Sequence, residues 1–264
     1  MFRVYKFMVR RTTEPLIDMT GKTRVSFQTC QGIIDFVKIE MKAKRITLKT
    51  RTGQRLMEMF DLMFAHFGPR HWWPAETELE VIVGAVLTQN TNWKNVEKAI
   101  FNLKERGLLS LKALCSASAD ELALEIRPAG YYNIKARRLK NLISFIEDHY
   151  GGNLASMLED DISGLRHGLL SVNGIGPETA DSIILYAANR PIFVVDAYTH
   201  RILKRHGMVE DTVTYQDMQE LFMNNLPEDT RLFNEFHALV VETGKDYCRK
   251  KPLCDKCPLG IYFS

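Results

Sequence analysis

From residue 55 onward, apolar positions recur at helical spacing. Leu56, Met57, Met59, Phe60, Met63 and Phe64 share one face of a 3.6-residue period. Leu79, Val81, Ile82, Val83, Ala85, Val86 and Leu87 form a denser run that fits either a buried helix or a strand. Its length and its helical neighbours favour the buried helix. Ser118-Ala-Asp-Glu121 reads as a capping box that opens another helix. Arg137 to Tyr150 is amphipathic and stops at Gly151-Gly152, and Thr214–Leu226 and Thr230–Gly244 predict two more helices. With about ten helical segments and no hairpin-turn signals between alternating runs, the predicted fold class is all-α.

Residues 1–55 differ in character. They are basic (Arg3, Lys6, Arg10, Arg11, Lys22, Arg24, Lys42, Lys44) and rich in Thr, with alternation over Arg45-Ile-Thr-Leu-Lys49. A strand pair, a disordered arm and a start codon placed upstream of Met41 or Met57 are all open. The chain of 264 residues is 45% hydrophobic and 25% charged, as an ordinary globular protein is, and its net charge of +3 permits nucleic acid without demanding it. No apolar run reaches bilayer length and no signal-peptide pattern opens the chain, so a cytoplasmic protein without membrane partners is expected. Five cysteines, three of them (Cys248, Cys254, Cys257) within ten residues, argue against a secreted disulfide framework and for a metal site or its remnant.

The most informative stretch is 171–200. Gly174-Ile175-Gly176 is a tight turn, and Pro177 suits the first position of a helix, where no amide hydrogen is needed. Amides at such a helix start, together with the helix dipole, attract a phosphate; a plain helix–helix connection fits the same residues. Leu170, Val172, Ile175, Ala180, Ile183 and Ile184 anchor two packed helices around the turn. Asp196 follows Ile192-Phe-Val-Val195 and opens a further helix, where it is a helix cap or a reactive carboxylate.

Leu170-Ser-Val-Asn-Gly-Ile-Gly-Pro-Glu-Thr-Ala180 and Val194-Val-Asp196 resemble the helix-hairpin-helix and Gly-Pro-Asp signature of the endonuclease III superfamily of DNA glycosylases; Arg190-Pro191 matches the Gly-Pro element only in half. The resemblance covers roughly residues 56–260. It implies a two-domain fold with the DNA cleft between domains: a six-helix domain over 79–188, and a second domain from 56–78 plus 189–264. It makes Asp196 the catalytic carboxylate and places Asn173, Gly174, Ile175, Gly176, Glu178 and Thr179 on DNA phosphate. It also implies a monovalent cation on the carbonyls of Leu170, Val172 and Ile175, and a monomer acting on damaged double-stranded DNA.

Bifunctional members carry a lysine two residues after the second hairpin glycine, where it forms a Schiff base with the sugar. Glu178 stands there, so a monofunctional, hydrolytic reaction without AP-lyase chemistry is expected. His71-Trp-Trp-Pro74 and Gly84-Ala-Val-Leu-Thr-Gln-Asn-Thr-Asn-Trp93 are most similar to the 3-methyladenine DNA glycosylase III group. That likeness makes Trp72, Trp73, Pro74 and Trp93 a pocket for a flipped, alkylated purine, whose positive charge stacks well on indole faces. The tryptophans as plain core aromatics, a glycosylase for a mismatched, deaminated or oxidised base, and a catalytically silent DNA-binding module using the same hairpin remain the alternatives. Gln89 matches the residue that fills the gap left by the flipped nucleotide, and equally well a helix cap. Tyr132, Asn133, Lys135, Arg138 and Arg201 are candidate backbone contacts or ordinary surface. Superfamily members bind a four-iron–four-sulfur cluster through four cysteines; here Cys248, Cys254 and Cys257 supply three, and Phe263 occupies the fourth position. Such a cluster, a cluster-free loop and a structural role for Lys245 in its place are all open.

Overall fold

The computed structural model describes residues 50–260, and these form one compact unit. The alternatives drawn for the basic N-terminal segment therefore lie outside the described residues up to position 49, as do Cys30 and Phe263. Among the described residues there is no strand, and the all-α expectation holds.

The first helix, α1 (Arg51–Phe67), starts earlier than its apolar periodicity suggests, because the side chain of Thr50 caps it by accepting from Gly53 N. The dense apolar run is the helix α2 (Glu78–Leu87), capped by Thr77 and buried from Leu79 to Leu87. It is followed by α3 (Trp93–Glu105), α4 (Leu111–Ser116) and α5 (Ala119–Glu125), the last opened by the Ser118–Glu121 capping box. The long helix α6 (Tyr132–Tyr150) ends on Gly151 in the left-handed conformation that glycine tolerates. Short helices α7 (Leu154–Glu159) and α8 (Ile162–Ser171) lead to the glycine hairpin and α9 (Pro177–Ser182), with Gly176 as cap and Pro177 at the first position. Helix α9 widens into a π turn over Ile183–Ala187. The C-terminal half holds α10 (Ala197–Arg205), α11 (Tyr215–Met223) and α12 (Thr230–Asp246).

Helix α12 organises this half. It packs against α10, α1 and the π turn, so the beginning and the end of the described chain meet. The extended run before Asp196 interlocks with aromatic residues of α11 and α12: Phe193 stacks on Phe222 with centroids 3.7 Å apart and meets Phe236 edge-on at 5.7 Å. Ile192, Phe193, Val194 and Val195 are all buried, which fixes where the run delivers Asp196.

A buried polar network fixes the same run from the other side. Asp181 of α9, with no exposed surface, accepts from Arg166 Nε at 2.7 Å, Tyr215 Oη at 2.8 Å and Gln219 Nε2 at 2.7 Å. Gln219 Nε2 also donates to the carbonyl of Phe193 at 2.7 Å, and Tyr215 Oη accepts from Val195 N at 3.4 Å. The helix after the hairpin is thus bonded to the segment that carries Asp196. Asp181→Ala leaves Arg166 uncompensated and is expected to cost about 3–5 kcal/mol of stability, measured by urea unfolding.

Candidate active site

The hairpin is held from two sides. Gly174 has φ +96°, and a Cβ there would stand 2.3 Å from Cγ of Arg138, so the stem of Arg138 occupies the space a side chain would need. The Arg138 guanidinium donates to Gln89 Oε1 through Nη1, while Gln89 Nε2 donates to Gly174 O at 3.2 Å and Thr179 Oγ1 at 2.9 Å. Gln89 is therefore tied to the hairpin rather than extended away from it. Asn141 Nδ2 donates to Asn173 O at 3.0 Å, and Ile175 N donates to Val172 O at 3.0 Å. Asn173, Gly176, Pro177 and Glu178 face solvent, and the first-turn amides of α9 lack partners within the helix. Of the carbonyls in the expected cation site, Val172 O is engaged by Ile175 N, and Leu170 lies at the surface. Arg137 and Arg138 line a groove that runs beside Asn173.

Asp196 divides its two oxygens. Oδ1 caps α10, accepting from Thr199 N at 2.7 Å and Thr199 Oγ1 at 2.8 Å. Oδ2 faces His237 of α12, whose Nε2 lies 3.8 Å away. His237 is buried, and its Nδ1 is 2.5 Å from the hydroxyl of Tyr186 in the π turn. Burial pushes the His237 imidazole down, against the upward pull of Asp196. The Tyr186 ring in turn packs on Trp73, with centroids 5.2 Å apart.

Trp72, Trp73 and Trp93 come together as the sequence suggests, but against one another. Trp72 and Trp93 are 4.9 Å apart at 65°, and Trp73 and Trp93 are 5.2 Å apart at 89°. These contacts leave no slot of base width between the rings as they stand, so a flat ligand stacks on an outer face or parts them. Gly84 admits Trp73 to the flank of α2: a Cβ there would meet the indole at 3.1 Å. The loop carrying Trp72 and Trp73 is fastened to α12 where Arg70 N donates to Glu235 Oε1 at 2.6 Å. Pro74 is exposed beside the cluster.

Glu178 is open on its outer side, yet partial burial first, and the charge of Asp196 second, raise its carboxyl to about 7.

Two expected DNA contacts point inward instead. Lys135 is buried, and its Nζ donates to Leu87 O and Ala129 O, each at 2.8 Å, so it fastens the end of α2 rather than reaching a phosphate. Arg201 donates to Cys248 O at 2.5 Å and Gly244 O at 3.3 Å while lying over Tyr198, which makes it a brace for the C-terminal loop. Both are long cationic side chains at half-polar helix positions, and periodicity does not reveal that carbonyls wait below them.

Cys248, Cys254 and Cys257 line one small pocket with Ile202, His206 and Thr243. Burial, then the neighbouring Cys248 and Cys254, pushes the Cys257 thiol up, and Arg205 Nη1 donates to Cys248 Sγ at 3.1 Å. Among the described residues no three such side chains are arranged to hold a metal ion. Cys248, Cys254 and Cys257 supply three thiols and Phe263 stands at the fourth position, so the four-thiolate set of an iron–sulfur cluster is incomplete. Lys245 is exposed and pairs with Glu242 at 3.5 Å.

The site residues that sequence reasoning missed are the bonded pair Tyr186 and His237 and, in a separate network with Arg166, Tyr215 and Gln219, Asp181. A histidine at 237 among Phe233, Phe236 and Leu239 was the available signal, since a polar residue on a buried helix face needs a partner.

The pattern of the HhH-GPD superfamily base excision DNA repair proteins matches residues 83–228. A Methanocaldococcus jannaschii protein, provisionally named a DNA repair glycosylase, is 48% identical over 214 residues, covering 80% of this chain and 97% of its own. Endonuclease III of Thermotoga maritima is 32% identical over 67% of this chain and 78% of its own. Among solved structures, an H. pylori 3-methyladenine DNA glycosylase bound to 1,N6-ethenoadenine superposes with a TM-score of 0.63 at 29% identity, covering 74% of this chain and 98% of its own. No helix among the described residues is long and apolar enough to cross a membrane.

Two outcomes are expected from the hairpin. Gly174→Ala forces an L side chain to positive φ and into Arg138, costing about 1–2 kcal/mol in thermal unfolding, and duplex affinity falls with it. For Glu178, the folded state holds its proton more tightly than the unfolded chain, so its contribution to stability is present below pH 4.5 and lost as pH rises toward 7. The same ionisation places a negative charge on the solvent-facing turn, where it repels an approaching polyanion. Duplex affinity by fluorescence anisotropy at fixed salt is therefore weaker at about pH 8 than at about pH 6, and Glu178→Gln flattens that difference.

Proposed function

The chain belongs to the HhH-GPD superfamily of base excision DNA repair proteins and is a DNA glycosylase of that family, and on that premise we propose that it is a monofunctional N-glycosylase releasing alkylated purines from duplex DNA. The observation that carries this reading is the placement of Asp196 Oδ2, through His237 and Tyr186, beside an aromatic cluster, with a carboxyl group at the lyase position.

The hairpin amides and Arg137 hold the phosphates of the damaged strand, and the extruded base stacks on the tryptophan cluster. An alkylated purine is cationic and electron-poor, which favours an indole face by about 0.5–2 kcal/mol. Its glycosidic bond is weak, and the base leaves with the bonding electron pair as a neutral molecule. Asp196 stabilises the positive charge that develops on the sugar and takes the proton of the attacking water. Glu178 cannot form an imine, and the buried Lys135 is held by two carbonyls, so neither opens a lyase route.

The test presents duplexes carrying alkylated, deaminated, oxidised or mismatched bases, with and without alkali after incubation. Release of the alkylated purine with strand breaks only after alkali is the expected result; strand breaks without alkali contradict it. Asp196→Asn is expected to slow release by about 100- to 10,000-fold. Trp93→Ala loses about 1–3 kcal/mol of base stacking, roughly 5- to 150-fold in release rate, while binding to undamaged duplex is largely retained.

A further inference from the structure

We infer that His237 acts with Asp196 on the attacking water: His237 Nε2–H donates to the water oxygen, Asp196 Oδ2 accepts a water proton, and the Tyr186 hydroxyl fixes the histidine tautomer. The inference rests on the hydrolytic reading given above and adds two residues to it.

Three observations carry it. His237 is buried, and its Nε2 has no hydrogen-bond partner among the described residues, although an orphaned buried polar atom is costly. That nitrogen points at the one Asp196 oxygen that α10 does not use. The separation of 3.8 Å is too long for a direct hydrogen bond, but it forms the base of a triangle whose apex a water can occupy at about 2.8 Å from both atoms.

The tautomer follows from charge. A carboxylate oxygen faces Nε2, so the arrangement with the proton on Nε2 is the attractive one, and Nδ1 then accepts from Tyr186 Oη at 2.5 Å. Burial keeps the imidazole neutral in this arrangement, so it holds the water without quenching the Asp196 charge needed by the developing sugar cation. In the step itself the water oxygen bonds to C1′, the C1′–N bond breaks and its electron pair leaves with the base. The water proton passes to Asp196, and His237 gives up none. The Tyr186 ring also packs on Trp73, so the residue that sets the tautomer is the one the base pocket rests on.

Single-turnover base release, affinity for duplex containing an abasic-site analogue, and thermal unfolding are measured for His237→Ala, His237→Gln, Tyr186→Phe and Asp196→Asn. His237→Ala is expected to slow release by about 100-fold with affinity changed by less than about 3-fold. His237→Gln, which restores an N–H near the Nε2 position, recovers about 10-fold of that loss, and Tyr186→Phe, which keeps the stacking ring, slows release by about 3- to 10-fold. Native release rates in His237→Ala and Tyr186→Phe, an affinity loss equal to the rate loss, or His237→Gln no faster than His237→Ala would overturn the inference. Full activity in Asp196→Asn would instead overturn the hydrolytic reading beneath it.

Discussion

The division of labour within the Asp196 carboxylate governs what the site can do. One oxygen is committed to the α10 cap through the amide and hydroxyl of Thr199, which fixes the side chain's rotation. The other is left in a largely buried setting, facing His237 across 3.8 Å. A helix cap and a reactive carboxylate looked like competing readings of one residue. They are compatible, because the cap uses Oδ1 and leaves Oδ2 aimed. A carboxylate free to rotate would lose that aim, and reorganising it during the reaction would cost the preorganisation on which electrostatic catalysis depends.

The aim requires that the backbone before Asp196 stay still, and two unlike forces hold it. On one side the run Ile192–Val195 is locked into an aromatic core by Phe193, Phe222 and Phe236. On the other side Asp181 gathers Arg166, Tyr215 and Gln219, and the last two reach the backbone at Val195 and Phe193. Asp181 lies in the helix that opens directly after the hairpin, so the hairpin and the Asp196 carboxylate are tied to one rigid element. Helix α12 adds the remaining parts: Glu235 fastens the tryptophan loop and His237 faces Asp196.

Much of this was legible in the sequence where local rules suffice. Ser118, Asp196 and Thr214 cap helices with their own side chains, and Pro177 stands at the first helical position behind the hairpin. The all-α class followed from periodicity alone. Contacts between distant segments were less accessible. Lys135 and Arg201 read as cations for DNA, yet each ends on backbone carbonyls, 48 residues away at Leu87 and 47 away at Cys248. Clustering of the tryptophans was foreseen, but not that they would close on one another. Tyr186 and His237 sit 51 residues apart, and no local pattern announces a hydroxyl and an imidazole that meet only when the π turn packs on α12.

The central claim is that water, and no group of the protein, attacks the sugar. Incubation with a duplex carrying an alkylated purine in the presence of borohydride tests it directly, because borohydride reduces any imine into a permanent protein–DNA link. The account predicts free base, an intact strand with an abasic site and no covalent adduct. Recovery of a borohydride-trapped protein–DNA adduct would contradict it.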